Sequence, residues 1–439
     1  MNKANNAYAT LQLRKGASDE QIKEAYLSLV KRYDPERHTE RFMIIQNAFE
    51  RLTDLAKRAH EDIQTYNPVR GQLMFLDEEK TEVPDEDLTR RIAELEDQAK
   101  SNGNDQAYEQ LTLALMQLSA LYVRRKKLRE AIDTWERVLQ IDPTHQRAKN
   151  NLSFGLSYLA LSYAEHDMQD EAVPLWVRAS QMNPDEDAIL HNLALACEAA
   201  GNSAEAERYW GETLRRWKKS LERNPDDQYL KNCILEVHRM HGGRAIDQAI
   251  NQPPAQGNAP PREAVQKAVH EYKEILKINP DDFDAQFQIA AGQMEQGQWK
   301  EAVETLKALM RKFPKNIEVL NLMGWALLNS GQIDAGFQIW RESLKIEGKQ
   351  NEARNNIMRA HLELGKRCRE QGQHNSALKH FKSLLKLLGE QNPEVHFEIG
   401  STYLLKGDKR SAYVEFQYVL KLDPKNQNAR KMLQELRMR

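Results

Sequence analysis

From Thr112 onward the chain keeps returning to one order of residue types: a large apolar residue, a small one, an aromatic, then alanine, a second aromatic and a proline. The first copy reads Leu118, Ser119, Tyr122, Ala131, Trp135, Val138 and Pro143, and the second Leu159, Ala160, Tyr163, Ala172, Trp176, Ala179 and Pro184. Further copies run Leu193, Ala194, Cys197, Ala206, Trp210, then Ile289, Ala290, Ala302, Leu306, Pro314, then Met323, Gly324, Ala326, Trp340, then Leu364, Gly365, Ala377, Phe381. The last is Ile399, Gly400, Tyr403, Gly407, Ala412, Phe416, Val419 and Pro424. The small residue and the alanine belong where two helices cross, because larger side chains would push the axes apart. The aromatic four residues past the alanine lies one turn further on the same face and fills the gap to the next hairpin. Proline has no N–H and disfavours helix in its predecessor, so it ends the second helix.

This pattern is similar to the tetratricopeptide repeat, a helical hairpin of about 34 residues. The resemblance implies an all-α fold in which residues 105–439 form a right-handed solenoid of about eight hairpins. Departures from the period are informative. Pro143 to Pro184 spans 41 residues, and the surplus, Gln146 to Leu152, continues a helical pattern, so the first helix of the second hairpin should be two turns longer. Asn351 to Ile357 does the same before the seventh hairpin, and Ala353-Arg354-Asn355-Asn356-Ile357 reads like Ala148-Lys149-Asn150-Asn151-Leu152. In the third hairpin the surplus follows Trp210, predicting a long second helix through Leu214, Trp217 and Leu221 to Pro225. The fourth is irregular: a helix from Gln228 to Ile250, a Pro- and Gln-rich insert at 251–261, then a helix with Ala268, Tyr272 and Pro280. The insert reads as a surface loop, or as a Pro-rich segment offered to a partner. Residues 426–438 place Ala429, Met432, Leu433 and Leu436 on one face, as a solvating terminal helix should.

Composition bears on function more than on fold. The 63 basic and 65 acidic side chains leave a formal charge of −2, which gives no global field for nucleic acid or an anionic membrane. A nucleic-acid-binding helical repeat would need a repeated basic stripe that the sequence lacks. The first residues have no basic head and apolar core of a secretory signal, and no stretch is apolar enough for a membrane span, so a cytoplasmic protein without an integral membrane segment is expected. Cys197, Cys233 and Cys368 are far apart and suggest buried small hydrophobes, not a disulfide framework or zinc site.

Residues Ala7 to Asp54 follow another plan: a short helix, a Ser18-Asp19-Glu20 helix start, a loop with Pro35 and a further amphipathic helix. Tyr8, Leu11, Leu13, Ala17, Ser18, Ile22, Lys23, Ala25, Tyr26, Leu29 and Tyr33, then Phe42, Ile45, Ala48, Phe49, Leu52 and Asp54, resemble the J domain of the Hsp40 family. That resemblance implies a small helical module over 1–66. The family acts on Hsp70 through a His-Pro-Asp tripeptide, and the aligned residues here are Asp34, Pro35 and Glu36. The basic pair usual after the helix II tyrosine is replaced by Leu27 and Ser28, while Arg32 and Arg37 keep positive charge nearby. The expectation is a J-like module kept for another use, with altered Hsp70 engagement as the alternative.

Residues 67–104 read as an acidic linker and a capping helix, the latter with Leu88, Ile92, Leu95 and Ala99 at helical spacing. The apolar stretch Leu73-Met74-Phe75-Leu76 either packs back on the head or first hairpins, or serves as a linear motif for a partner.

No phosphate loop, dinucleotide fingerprint, nucleophile elbow or zinc-protease motif occurs, so no catalytic residue, cofactor or metal is expected. Repeats of this kind offer a groove lined by first-helix side chains that holds an extended peptide or a helix. The register nominates Phe287, Gln288, Met294, Asn321, Trp325 and Asn329, and in the third and fourth hairpins His191, Asn192, Lys231, Asn232 and Arg239. A carboxylate clamp is disfavoured at the N-terminal end, where Met116 and Ala120 stand in its place. The function expected is a non-catalytic scaffold or adaptor for protein partners, in complex assembly or maintenance, with an Hsp70 co-chaperone delivering clients as the alternative.

Overall fold

The computed structural model describes residues 6–77, 79, 85–102, 105–251, 262–346 and 351–438. Among these all regular structure is helical, in 22 helices with no strand. The head contains α1 (Ala7–Thr10), α2 (Asp19–Arg32), α3 (Thr39–Thr53) and α4 (Leu55–Ile63). After α5 (Asp85–Asn102) come three hairpins, α6 (Asp105–Arg124) with α7 (Leu128–Ile141), α8 (Gln146–Glu165) with α9 (Gln169–Met182), and α10 (Asp187–Ala199) with α11 (Ser203–Arg223). Then follow α12 (Gln228–Asn251) and α13 (Arg262–Ile278). The remaining hairpins are α14 (Phe283–Glu295) with α15 (Trp299–Lys312), α16 (Ile317–Asn329) with α17 (Ile333–Ile346), α18 (Asn351–Glu370) with α19 (His374–Leu388), and α20 (Pro393–Lys406) with α21 (Lys409–Leu422), closed by α22 (Gln427–Met438). The insert read at 251–261 lies, beyond Asn251, outside the described residues, as do Glu78 and residues 80–84 of the linker. The chain divides into two compact units, Met1–Met240 and His241–Arg439.

The head is built on a small core of Ala7, Tyr8, Leu11, Ile22, Leu29, Ile45, Ala48 and Leu52, closed by Tyr26 stacked on Phe49 at 4.2 Å. A capping box starts α2, where Ser18 accepts from the Gln21 N–H and Gln21 accepts from the Ser18 N–H. Asp54 accepts from the Ala56 and Lys57 N–H groups and so fixes the start of α4.

In the first unit Trp135, Trp176 and Trp210 are fully buried. Gly155 of α8 lies so close to Trp135 of the preceding hairpin that a Cβ there would stand 2.9 Å from the ring. This is the inter-hairpin packing the register predicts. In the second unit a Cβ on Gly324 would meet Trp340 of its own hairpin at 2.2 Å, and Gly365 and Gly400 would meet Phe381 and Phe416 at 2.6 and 2.9 Å. There the aromatic covers the small residue of the same hairpin, and only glycine leaves the ring its place.

The turn between paired helices needs a left-handed residue. Gly201, Gly297, Gly331, Gly372 and Gly407 supply it with φ between 73° and 92°, whereas the first two hairpins put Lys126 and Asp167 there at φ 59° and 60°.

Candidate functional site

The chain between α4 and α5 crosses the first-unit hairpins as an extended strap, residues 66–77 and Glu79. Two asparagines read its main chain. Asn192 on α10 accepts from the Asn67 N–H (2.6 Å) and donates to the Asn67 carbonyl (3.0 Å). Asn151, on the two-turn extension of α8, accepts from the Met74 N–H (2.7 Å) and donates to the Met74 carbonyl (2.9 Å). Both amides are buried, and a buried amide can serve a peptide unit in this way whatever side chain that unit carries. Beside each lies an aromatic contact: Tyr66 packs on Trp176 with ring centroids 5.4 Å apart, and Phe75 on Trp135 at 6.4 Å. Tyr66 also donates to Gln169 at 3.3 Å. At the far end the buried Glu79 carboxylate takes Arg147 at 2.5 Å. The stretch Leu73–Leu76, for which two readings stood open, therefore lies on the hairpins, with Leu73 and Phe75 against their core.

The head is docked by the end of α4. Asp62, 4% exposed, accepts from Tyr8 Oη at 2.8 Å and from Tyr229 Oη of α12, with Arg58 Nε at 3.9 Å. Burial first, and then the Asp62 charge, hold Tyr8 above the usual phenol range; Tyr229 is raised too, by burial, by the Cys233 thiol and by Asp62. Cys233, packed beside this group, is pushed up to about 12 by burial. Lys15 donates to the carbonyls of Asp62 and Thr65, and burial lowers it to about 8 against the pull of Asp62. His191 joins strap to dock: Nε2 bonds the Ile63 carbonyl at 3.2 Å and Nδ1 meets the Asn67 amide nitrogen. These partners suit a neutral ring that donates from Nε2 and accepts at Nδ1, and burial, reinforced by Lys15, keeps the pKa well below the ordinary histidine range. His60 pairs with Glu236, and that hydrogen bond raises its pKa.

Of the residues nominated from sequence, His191 and Asn192 thus hold the chain's own strap. Asn232 accepts from Gln228 at 3.1 Å, Arg239 lies 3.6 Å from Glu236, and Lys231 is half-buried on the same helix. In the second unit Met294, Trp325 and Asn329 come together around a cavity of about 630 Å³, with Val265, Trp299, Arg262 and Arg359. The Arg359 guanidinium lies 5.2 Å from the Trp325 ring, whose other neighbour is Trp340 at 5.1 Å. Phe287 packs with Phe283 at 6.0 Å, and neither it, Gln288 nor Asn321 lines that cavity. Asn321 is 4% exposed, and neither atom of its side-chain amide has a hydrogen-bond partner. Asp34, Pro35 and Glu36 are exposed in the α2–α3 turn, where the Asp34 carboxylate accepts from the Glu36 N–H at 2.8 Å. Sequence reasoning missed Asn151, Asp62, Tyr229 and Arg359. The only signal for Asn151 was the echo between its segment and that around Asn356.

Among the described residues no three His, Cys, Asp or Glu side chains are grouped to hold a metal, and no helix is long and apolar enough to cross a membrane. Fold and site together define a helical-repeat protein whose first unit holds a segment of its own chain and whose head is a small helical module. Comparison with known proteins gives these parts their families. Residues 6–62 match the family model of the DnaJ domain, and residues 188–227 and 262–326 match two tetratricopeptide-repeat models. The DnaJ protein ERDJ3B of Arabidopsis thaliana is 47% identical over 57 residues, and the chaperone protein DnaJ of Neisseria gonorrhoeae is 41% identical over 61. Each match covers 12% of this chain, which spans 16% of either relative's length. Among solved structures, MamA protein is similar with a TM-score of 0.31 and 16% identity, covering 44% of this chain and 94% of that one. YrrB, described as a TPR protein with an unusual peptide-binding site, has a TM-score of 0.29 and 13% identity, covering 49% and 96%. The chain thus carries an N-terminal DnaJ domain followed by tetratricopeptide repeats, domains that are typically non-catalytic.

Proposed function

We propose that the protein is a non-catalytic adaptor in which a module over 1–66 and a linker and cap over 67–104 serve a repeat scaffold over 105–439. The strap carries this reading: first-helix side chains of the repeats already hold an extended polypeptide by its main chain at Asn67 and Met74. The second unit offers the site for a partner's peptide or helix, with Met294, Trp325 and Arg359 as contact residues and Asn329 as a polar one, while Phe287, Gln288 and Asn321 lie outside the cavity lining. An apolar and aromatic cavity with a few polar groups suits a side chain of such a segment. Affinity capture with wild-type chain and with Trp325→Ala or Met294→Ala, read by mass spectrometry, tests this. Partners lost from both variants support it, and identical recovery from all three rejects the second-unit site.

A second reading, an Hsp70 co-chaperone, is favoured by the DnaJ-domain match over 6–62 and by the exposure of Lys23, Arg32 and the Asp34–Glu36 turn. On the first reading the full chain leaves Hsp70 ATP turnover unchanged. Stimulation that disappears with Pro35→Ala establishes the second.

A further inference from the structure

The strap occupies a groove with the marks of a ligand site. Recognition is by main chain at Asn67 and Met74, with the Asn67 side-chain amide also meeting His191, and aromatic rings, the Glu79 carboxylate and Arg70, 3.9 Å from Glu186, add to it. The fit is incomplete. Between the two asparagine contacts the strap spans a cavity of about 380 Å³, lined by Pro68, Val69 and Gln72 above and by Asn150, Ser157 and Trp176 below. The indoles of Trp210 and Trp340 donate to Glu198 (2.7 Å) and to the Asn321 carbonyl (3.1 Å), but those of Trp135 and Trp176, the two that contact strap rings, are buried with no acceptor. A buried donor left unmet costs stability, so the strap is held less firmly than a fully matched segment would be.

We propose that residues 66–77 with Glu79 are a tethered and exchangeable occupant, and that the groove of α8 and α10 is a second protein-binding site, selective for an extended segment of the strap's own chemistry. That segment carries two aromatic residues nine positions apart, each adjacent to a peptide unit held by Asn192 or Asn151, and a carboxylate four positions past the second aromatic for Arg147. The proposal rests on the reading of the repeats as peptide-holding, and assigns this groove a partner that must compete with the strap. A short tether gives an effective concentration on the order of millimolar, so a free segment of about 10 µM intrinsic Kd is weakened about a hundredfold while the strap is in place.

The probe is a fluorescent peptide with the sequence of residues 64–80, titrated into the full chain and into full-length Tyr66→Ala/Phe75→Ala. The expected result is at least about tenfold tighter binding to the double variant, abolished when Asn151→Ala and Asn192→Ala are added. Equal affinity for wild type and a double variant that keeps its helical circular dichroism overturns the proposal. So does tighter binding that survives the asparagine substitutions, which places the peptide in the second unit and leaves the adaptor reading standing. Hydrogen exchange on unmodified chain decides the matter independently of whether the variants fold. Saturating peptide should speed exchange of the Asn67 and Met74 amides, and unchanged protection refutes displacement.

Discussion

Removing a single oxygen from Tyr229 tests whether Asp62 holds the head to the repeats. Tyr229→Phe keeps the ring and its packing on α12 and deletes the hydroxyl that donates to the Asp62 carboxylate. The carboxylate keeps Tyr8 at 2.8 Å and Arg58 at 3.9 Å, so it is weakened and not abandoned. A hydrogen bond to a buried charged group contributes about 1.5–3 kcal/mol, and the Cys233 thiol loses its partner on the same hydroxyl. For a cooperative unit of this size, each kcal/mol moves Tm by about 2–4 °C, so a loss of about 2 kcal/mol lowers the first unit's Tm by about 4–8 °C. Calorimetry combined with hydrogen exchange at the α4 amides gives the readout, and α4 protection should fall more than that of α8. Combining Tyr229→Phe with Asp62→Asn should give a coupling free energy above about 1 kcal/mol, because both changes remove one interaction. A Tm within about 1 °C of wild type, with α4 protection unchanged, would falsify the assignment of Asp62 as the docking residue.

Three further outcomes are expected. Gly324→Ala forces Trp340 away from a Cβ only 2.2 Å from its Nε1 and breaks its bond to the Asn321 carbonyl, destabilising the second unit by about 1–3 kcal/mol or more in denaturant titration; unchanged stability would show that the ring has room to move. Acid loosens the strap through His191: its folded pKa lies below the unfolded value near 6.5, so its contribution is complete above that pH and lost as pH falls. Accordingly, the first unit's Tm drops from pH 7 to pH 5 in wild type and less so in His191→Gln, whereas His60, raised by Glu236, works in the opposite direction, its contribution complete below about 6.5 and lost as pH rises. Lys126→Gly relieves a left-handed non-glycine residue and should raise stability by up to about 1 kcal/mol, net of the entropy glycine adds to the unfolded chain; a fall in stability would mean the Lys126 side chain contributes more than its backbone costs.

The helices were legible because periodic burial and proline stops are local. The surplus at Gln146–Leu152 and Asn351–Ile357 became the 20-residue helices α8 and α18, and the stretch past Trp210 became the 21-residue α11. What the second-unit aromatics cover was not legible, since a glycine and a ring at fixed spacing suit either packing until the backbone places Gly324 beneath Trp340. At the site, His191 and Asn192 could be assigned to a groove-facing turn from register alone, but their occupant lies more than 120 residues away in sequence. Asp62 belongs to none of the motifs in the sequence. Its burial depends on Tyr229, 167 residues further on, and periodicity says nothing about such a pairing.

The strap also changes how the first unit should come apart. In a stack of hairpins each repeat touches only its neighbours, so unfolding can start at either end and spread stepwise. Strap and dock join Asn67 to Asn192 and Asp62 to Tyr229, so that the segment held by the third hairpin is also held at Met74 by the second and at Phe75 by the first. That closure makes the first unit behave as one cooperative block and, because the loops it shuts are long, as a slow folder whose last step waits for α12 to be synthesised. The described part of the second unit has no such crossing segment, and its hairpins should fray one at a time from α22 inward.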